Sequence, residues 1–277
     1  NKNFNNTTFS SHELLPIADQ WCNMLGSFPN CDHIKVSGGL RRGSHLLNQI
    51  DIVIGTQDPN ILIDQILNLN SYRELIEESS TRLILKIEKE IPLFIWVTTP
   101  EYFVSTLFIT TGPAKHIQDL NRIADQSNKR ITYNGIFNGV SLSTIKEESE
   151  RYSHFNLAFI PPEIRDWIEN FENVKPTDFN GLITISDLRS DLHLHTDWSD
   201  GKNTLDEIVS SAIAHNFSTI AITDHSPYVL SQRYSDESYF NDQHILIDDL
   251  YQKYQSKITI LKGVEVDILP NGDLDLS

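Results

Sequence analysis

The sequence predicts an α/β (α+β) chain: a mixed region up to about residue 175, then a regularly alternating parallel α/β region from about 190. Three observations predict it. Apolar residues recur at helical spacing in "HELLPIADQWCNML". β-branched and aromatic residues alternate in "TRLILKIEKEIPLFIWVTTP". After residue 190, strand, helix, strand, helix and strand follow one another, the pattern of βαβ crossovers.

Taken in order, Leu14, Leu15, Ile17, Ala18, Trp21, Cys22 and Leu25 give the first stretch one apolar face and predict a helix. "HIKVSG" and "QIDIVIGT" read as strands flanking a small-residue turn, and "NILIDQILNLN" returns to helix. Residues 81–98 read as a hairpin or strand pair. "PEYFVSTLFITTG" predicts a helix ending before Gly112. A smaller mixed segment follows, with a helix in "AKHIQDLNRIADQSN" and short strands around "ITYNGIFNGV". A helix is read in "TIKEESERYSHF" and another is opened by the prolines of "FIPPEIRDWIENF". Residues 172–189 are polar and turn-rich. Beyond them "DLHLH", "TIAITDH" and "ITILKGVEVDI" read as strands, separated by helices in "TLDEIVSSAIAHNF" and "FNDQHILIDDLYQKYQ".

The 277 residues permit a sizeable core in one large or two modest domains. No run approaches the apolar length of a membrane span, so no membrane partner is expected, and no charged-then-apolar leader opens the chain. Cys22 and Cys31 are too few for a disulfide framework and read as reduced thiols of a cytoplasmic protein. A formal charge of −16 argues against a generally DNA-coating surface. The acidity is uneven: from Asp191 onward there are 5 Lys+Arg against 15 Asp+Glu, leaving 17 against 23 before it. Clustered acids and histidines fit a multi-cation site, and they also fit an ordinary solvated face, so spacing decides.

Val36–Thr56, "VSGGLRRGSHLLNQIDIVIGT", joins a small-residue turn and an arginine pair to an apolar strand with one acid, Asp51. Nucleotidyl transfer needs two metal ions held by carboxylates, and acids at i and i+2 of a strand face one side. A Gly/Ser turn lets backbone N–H groups reach phosphate oxygens, and an arginine adds charge. "VSGGLRRGS" followed by "IDIVIG" resembles the palm of family X DNA polymerases, whose pattern is G-S-x-R-R-G, a short linker, then G-D-x-D. That match implies phosphate-turn positions for Gly38, Gly39 and Arg42 and the second carboxylate position for Asp51. Asn48 and Gln49 replace the Gly-Asp pair, and Phe94 stands where the family has its third acid. "LFITTGPAKHIQDL" is similar to the family's palm–thumb junction, with Thr110 and Ile117 as departures, and "FNLAFIPPEIRDW" resembles the thumb of bacterial members. One acid does not offset two divalent ions at close range. A degenerate polymerase site without Mg2+ is therefore expected.

"DLHLHTDWSDG" places His193 and His195 at i and i+2 of a strand, with Leu192 and Leu194 turned to the core. Asp200 follows in a turn with Gly201. "TIAITDH" ends in Asp224 and His225, and Glu265 lies among apolar neighbours in the next strand. Ligand-type residues thus end three parallel strands, where α/β barrels put their sites. Three imidazoles and an acid without a cation would leave unpaired polar groups. His12, His33, His45, His116, His154, His215 and His244 lack such company and read as ordinary core or surface residues.

The set resembles the PHP domain, named for polymerase and histidinol phosphatase, which bacterial family X polymerases carry after the thumb. The resemblance implies a distorted (β/α)7-type barrel, here partial. It implies His193, His195, Asp200, His225 and Glu265 as ligands of divalent ions, Mn or Zn, and Asp224 behind them, orienting an imidazole. Trp198 and Tyr228 close the barrel mouth or stack on a base. It further implies 3′–5′ exonuclease-type phosphoesterase chemistry, with DNA ends or gaps and possibly dNTP as partners, on a monomer. The family's later PHP motifs and its upstream end-binding domain have no counterpart in these residues, so weak metal binding is expected of them. The expected order is palm 1–108, thumb 109–175, linker 176–189 and PHP segment 190–277. A non-catalytic DNA- or protein-binding scaffold and a small-molecule phosphatase remain as alternatives.

Overall fold

The computed structural model describes residues 7–170, 173–226 and 238–275, and it divides into two compact units, Asn1–Asn180 and Gly181–Ser277. The first unit opens with strand β1 (Phe9–Ser10) and helix α1 (Ser11–Gly26). The Ser10 hydroxyl accepts from the Glu13 N–H at 3.2 Å, and the Glu13 carboxylate accepts from the Ser10 N–H at 2.9 Å. This reciprocal cap fixes where the helix starts. Strand β2 (His33–Ser37) runs into a one-turn helix α2 (Gly38–Arg41), then β3 (Leu46–Leu47), β4 (Ile50–Gly55) and α3 (Pro59–Leu67). Strands β5 (Glu74–Ser79), β6 (Arg82–Lys86) and β7 (Pro92–Thr98) complete a five-stranded sheet in the order β2-β4-β7-β6-β5. Only β4 and β7 pair in parallel.

Every residue of β4 is buried. Ile50, Ile52 and Ile54 join Leu83, Leu93, Ile95 and Val97 against α1 and α3, while Val53 meets Phe103, Leu107 and Trp96. Burial on both faces explains why this strand reads as a continuous apolar run. Asp51 shares the face of Val53, because side chains alternate.

Helix α4 (Phe103–Thr111) leads to α5 (Ala114–Gln126), a small sheet of β8 (Lys129–Thr132), β9 (Gly135–Asn138) and β10 (Ser141–Ser143), and α6 (Glu148–Ser153). A separate core of Phe108, Leu120, Ala124, Ile131, Tyr152 and Ile160 holds this part together. Two buried guanidiniums, Arg151 and Arg165, lie 4.7 and 4.8 Å from the Phe108 ring. Glu148 is buried too, and burial alone would raise its carboxyl. Arg165 at 2.6 Å and Arg41 at 2.5 Å outweigh this and hold it below the ordinary carboxylate range.

The second unit is a βαβαβ run: β11 (Ser190–Leu194), α7 (Leu205–Ala214), β12 (Thr219–Ile222), α8 (Ser238–Tyr254) and β13 (Thr259–Lys262). The strands form a parallel sheet in sequence order. Its core packs Leu205, Val209 and Ala212 of α7 and Ile247 of α8 against Ile220, Ile222 and Ile260. Thr204 and Glu207 cap α7 reciprocally, as Ser10 and Glu13 cap α1.

Two expectations are corrected and one strand is added. Residues 74–79 form a strand that the sequence pattern does not announce, because β5 is a bulged sheet edge whose glutamates hide its alternation. "FIPPEIRDWIENF" opens only a 3-10 turn at Pro162–Ile164, not an α-helix. Leu192 is 56% exposed rather than turned to the core. The register of β11 on β12 shifts between Asp191 and Leu194, and that bulge breaks the alternation on which the expectation rested. Among the described residues, no helix is long and apolar enough to cross a membrane.

The Phe108 cluster yields the first prediction. Phe108→Ala should destabilise the first unit by about 3–5 kcal/mol, since it opens a cavity beneath two buried guanidiniums. Urea unfolding followed by tryptophan fluorescence tests this, because Trp21, Trp96 and Trp167 lie in this unit and only Trp198 in the other.

Candidate metal centre

The ends of the three parallel strands carry the candidate ligands. Backbone pairing of β12 with β13 continues past the strands: Gly263 N–H donates to Ile222 O at 2.8 Å, Glu265 N–H to Asp224 O at 3.0 Å, and Ser226 N–H to Glu265 O at 2.9 Å. His225 and Glu265 thereby sit in register as a parallel bridge. On the other side Thr223 N–H donates to Leu194 O at 2.8 Å, which fixes the end of β11 beside β12. Asp200 reaches the cluster because Gly201 folds tightly under β11. A Cβ at Gly201 would collide with the carbonyl oxygens of His195 and Thr196.

The side chains converge. His193 Nε2 lies 2.9 Å and His195 Nε2 2.7 Å from the same Glu265 Oε2, and the two ring nitrogens are 3.2 Å apart. His195 Nδ1 is 2.6 Å from Asp200 Oδ1, and His225 Nε2 is 3.5 Å from Asp200 Oδ2. Two donor groups result, His193–His195–Glu265 and His195–Asp200–His225, each with ligand atoms within 4.8 Å of one another. His195 belongs to both.

The electrostatics match a cation site. Burial alone would lower the His195 pKa, but hydrogen bonds and charge from Asp200 and Glu265 outweigh it and raise the value. The hydrogen bond from His195 holds Asp200 below the carboxylate range, and the one from His193 does the same for Glu265. Mixed imidazole and carboxylate donors suit Zn2+ or Mn2+. Two imidazole nitrogens aimed at one carboxylate oxygen need protons or a cation between them, so these residues fit a divalent ion.

Asp224 has another task than the one expected of it. It is fully buried, and its oxygens accept from Thr196 N–H at 2.8 Å, Thr196 Oγ1 at 2.7 Å, Ser199 Oγ and Gln243 Nε2 at 2.6 Å. It therefore holds the loop between His195 and Asp200 rather than an imidazole. Trp198 packs against the core of this unit. Tyr228 lies outside the described residues.

In the first unit a cleft of about 620 Å³ is lined by Gly38, Gly39, Arg42, Gln49, Asp51, Trp96 and Thr110, among others. Gly38 has φ +63°, and a Cβ there would strike Asp51 Oδ2, so the turn sits directly on the acid. Gln49 Nε2 donates to both Asp51 oxygens at 2.9 and 2.8 Å, and Trp96 Nε1 approaches at 3.4 Å. Phe94 is the register partner of Asp51 on β7. The place beside the one acid is thus filled by an amide, an indole and a phenyl ring, and this donor set does not fit a pair of metal ions. Arg42 faces the cleft, with its Nε on Asp166 at 2.8 Å and its Nη1 on Thr111 O. Arg41 turns away to Thr111 Oγ1 at 2.8 Å and Glu148.

Burial raises the Asp51 pKa above its ordinary 3.8 against the opposing effects of Gln49, Trp96 and Arg42. An acid raised in the fold contributes stability that is fully present below its unfolded pKa and is lost as pH rises through the folded value. At neutral pH the ionised group is therefore a cost. Asp51→Asn keeps an oxygen for Gln49 and should raise the melting temperature at pH 7 by roughly 2–4 °C. The gain should shrink toward pH 4, which thermal melts at the two pH values check.

Comparison with known proteins agrees with these features. The DNA polymerase beta thumb family matches residues 106–166, and the PHP domain family matches residues 191–275. A DNA polymerase/3′-5′ exonuclease PolX of Bacillus subtilis is 32% identical over 265 residues, covering 94% of this chain and 46% of that protein. The chain spans about half the length of the curated relative it matches. A polymerase-beta thumb match followed by a PHP match, with similarity to such a protein along nearly the whole chain, gives this chain the order of parts found in family X DNA polymerases that carry a PHP domain.

Proposed function

We propose that the chain belongs to a DNA repair or processing protein whose PHP centre cleaves phosphodiesters at DNA 3′ ends and whose polymerase site is inactive. The observation that carries the reading is the pair of donor groups sharing His195 at the ends of three parallel strands. His193, His195 and Glu265 would hold one divalent ion, and His195, Asp200 and His225 would contribute to a second. When bound, such ions supply Lewis acidity toward a phosphate ester and a nucleophilic water. The chain's own residues keep the imidazoles oriented, and a bound ion would displace to solvent the protons held between the rings and the carboxylates. The exonuclease activity named for the Bacillus relative supports 3′–5′ polarity, and the thumb match supports DNA as partner. Residues 1–108 serve as a palm, 109–175 as the thumb and 176–189 as the link to the PHP segment. Gly38, Gly39 and Arg42 offer a residual phosphate contact beside Asp51.

Two tests follow. With Mn2+ present, trimming of labelled 3′ ends should be stopped by EDTA and reduced at least a hundredfold by His193→Ala, which removes a ligand of the first donor group. A metal-free protein, or trimming untouched by the substitution, defeats the nuclease assignment. Primer extension with Mg2+ or Mn2+ should give no templated incorporation. Extension that vanishes in Asp51→Ala would show a working palm despite Gln49 and Phe94.

A further inference from the structure

The candidate ligands are braced from behind by two buried carboxylates. Three of the four groups that meet Asp224 adjoin a ligand in sequence or belong to the same loop. Thr196 follows His195, Ser199 precedes Asp200, and Asp224 itself precedes His225. The remaining donor comes from elsewhere: Gln243, fully buried on α8, donates Nε2 to Asp224 Oδ2 at 2.6 Å. Asp275, 2% exposed, repeats the arrangement on the other flank. It accepts from Ser226 Oγ and from the Asp267 N–H at 2.8 Å, and these residues stand one after His225 and two after Glu265.

We propose that Asp224, completed by Gln243, and Asp275 are positioning residues that set the spacing of four of the five candidate ligands, His195, Asp200, His225 and Glu265. Asp224 ties His195, Asp200 and His225 together, and Asp275 ties His225 to Glu265. The inference rests on the metal reading above and adds residues to it. A buried carboxylate is held in place only while donors satisfy its lone pairs. Here those donors are the backbone and hydroxyls of the ligand-bearing loops, so satisfying the carboxylates and spacing the ligands are one requirement. Sites tolerate about 0.5 Å of ligand displacement. Gln243 is the informative residue, because it neighbours no candidate ligand in sequence and, among the described residues, its bond toward the centre is to Asp224.

The test is Mn2+ titration of the full chain by calorimetry, beside thermal melting of the metal-free protein. Gln243→Leu should weaken Mn2+ binding by about tenfold or more, in the range found for groups behind a metal's ligands. Ile247→Val, one turn further along α8 in the apolar core, should lower the melting temperature and leave Mn2+ affinity within twofold. If Gln243→Leu misfolds by circular dichroism, Ser226→Ala decides through Asp275, with the same tenfold loss expected. Unchanged Mn2+ affinity in both Gln243→Leu and Ser226→Ala, or an equal loss in Ile247→Val, overturns the positioning role. A wild-type chain that binds neither Mn2+ nor Zn2+ overturns the metal reading itself, which is a different result from wild-type binding with indifferent variants.

Discussion

The second unit depends on one interaction, the parallel backbone pairing of β12 with β13 that persists after both strands end. The bonds from Gly263 to Ile222, from Glu265 to Asp224 and from Ser226 to Glu265 keep two loops in ladder geometry. Without them His225 and Glu265 would sit on independent loops, each losing backbone freedom separately to meet a ligand. With them, two candidate ligands arrive as a register pair. The ladder itself cannot slip, because Ile220, Ile222 and Ile260 are buried and a one-residue shift would turn them outward.

Much of this was legible in the sequence. Period and composition give the three parallel strands and their helices, and the H-x-H pair points at its partners because each stands at a strand end. The five candidate ligands and Asp224 all lie in the cluster that structure assembles. What stayed hidden has local causes. The bulge in β11 depends on pairing with β12, so no alternation rule could warn that Leu192 would be left exposed. Strand β5 is an edge, where burial imposes no pattern on the glutamates. Gln243 and Asp275 look like any polar residue on an acidic chain; only tertiary packing shows that they are buried against the ligand loops.

The two carboxylate settings of the chain explain each other. Glu265 and Asp200 sit partly open to solvent among imidazoles, and hydrogen bonds from those rings favour their ionised forms. Such groups keep a high local negative charge for a cation to neutralise. Asp51 is buried beneath a glycine turn, and burial pushes it toward the neutral form although an amide and an indole donate to it. Each retains an acid, and only the first gathers acids and imidazoles into donor groups of three. Counting carboxylates in the sequence separates the two sites; their environments supply the reason.

The arginines of the first unit decide what its cleft can still do. Arg41 and Arg165 converge on buried Glu148, while Arg151 and Arg165 lie against Phe108; both arrangements sit within the region matched to the polymerase beta thumb except for Arg41 itself. Removing one partner from a buried pair leaves an uncompensated charge, so this network holds its geometry and is not released to a ligand. Arg42 differs. It is the one cation among the described residues lining the cleft, and its partner Asp166 is about a third exposed. Solvent screens that pair in part. The phosphate contact proposed above would compete for Arg42 with Asp166 and the Thr111 carbonyl, whereas Arg41 is held by buried Glu148. Of the arginine pair that follows the glycine turn, one turns to buried Glu148 and the other lines the cleft while pairing with Asp166.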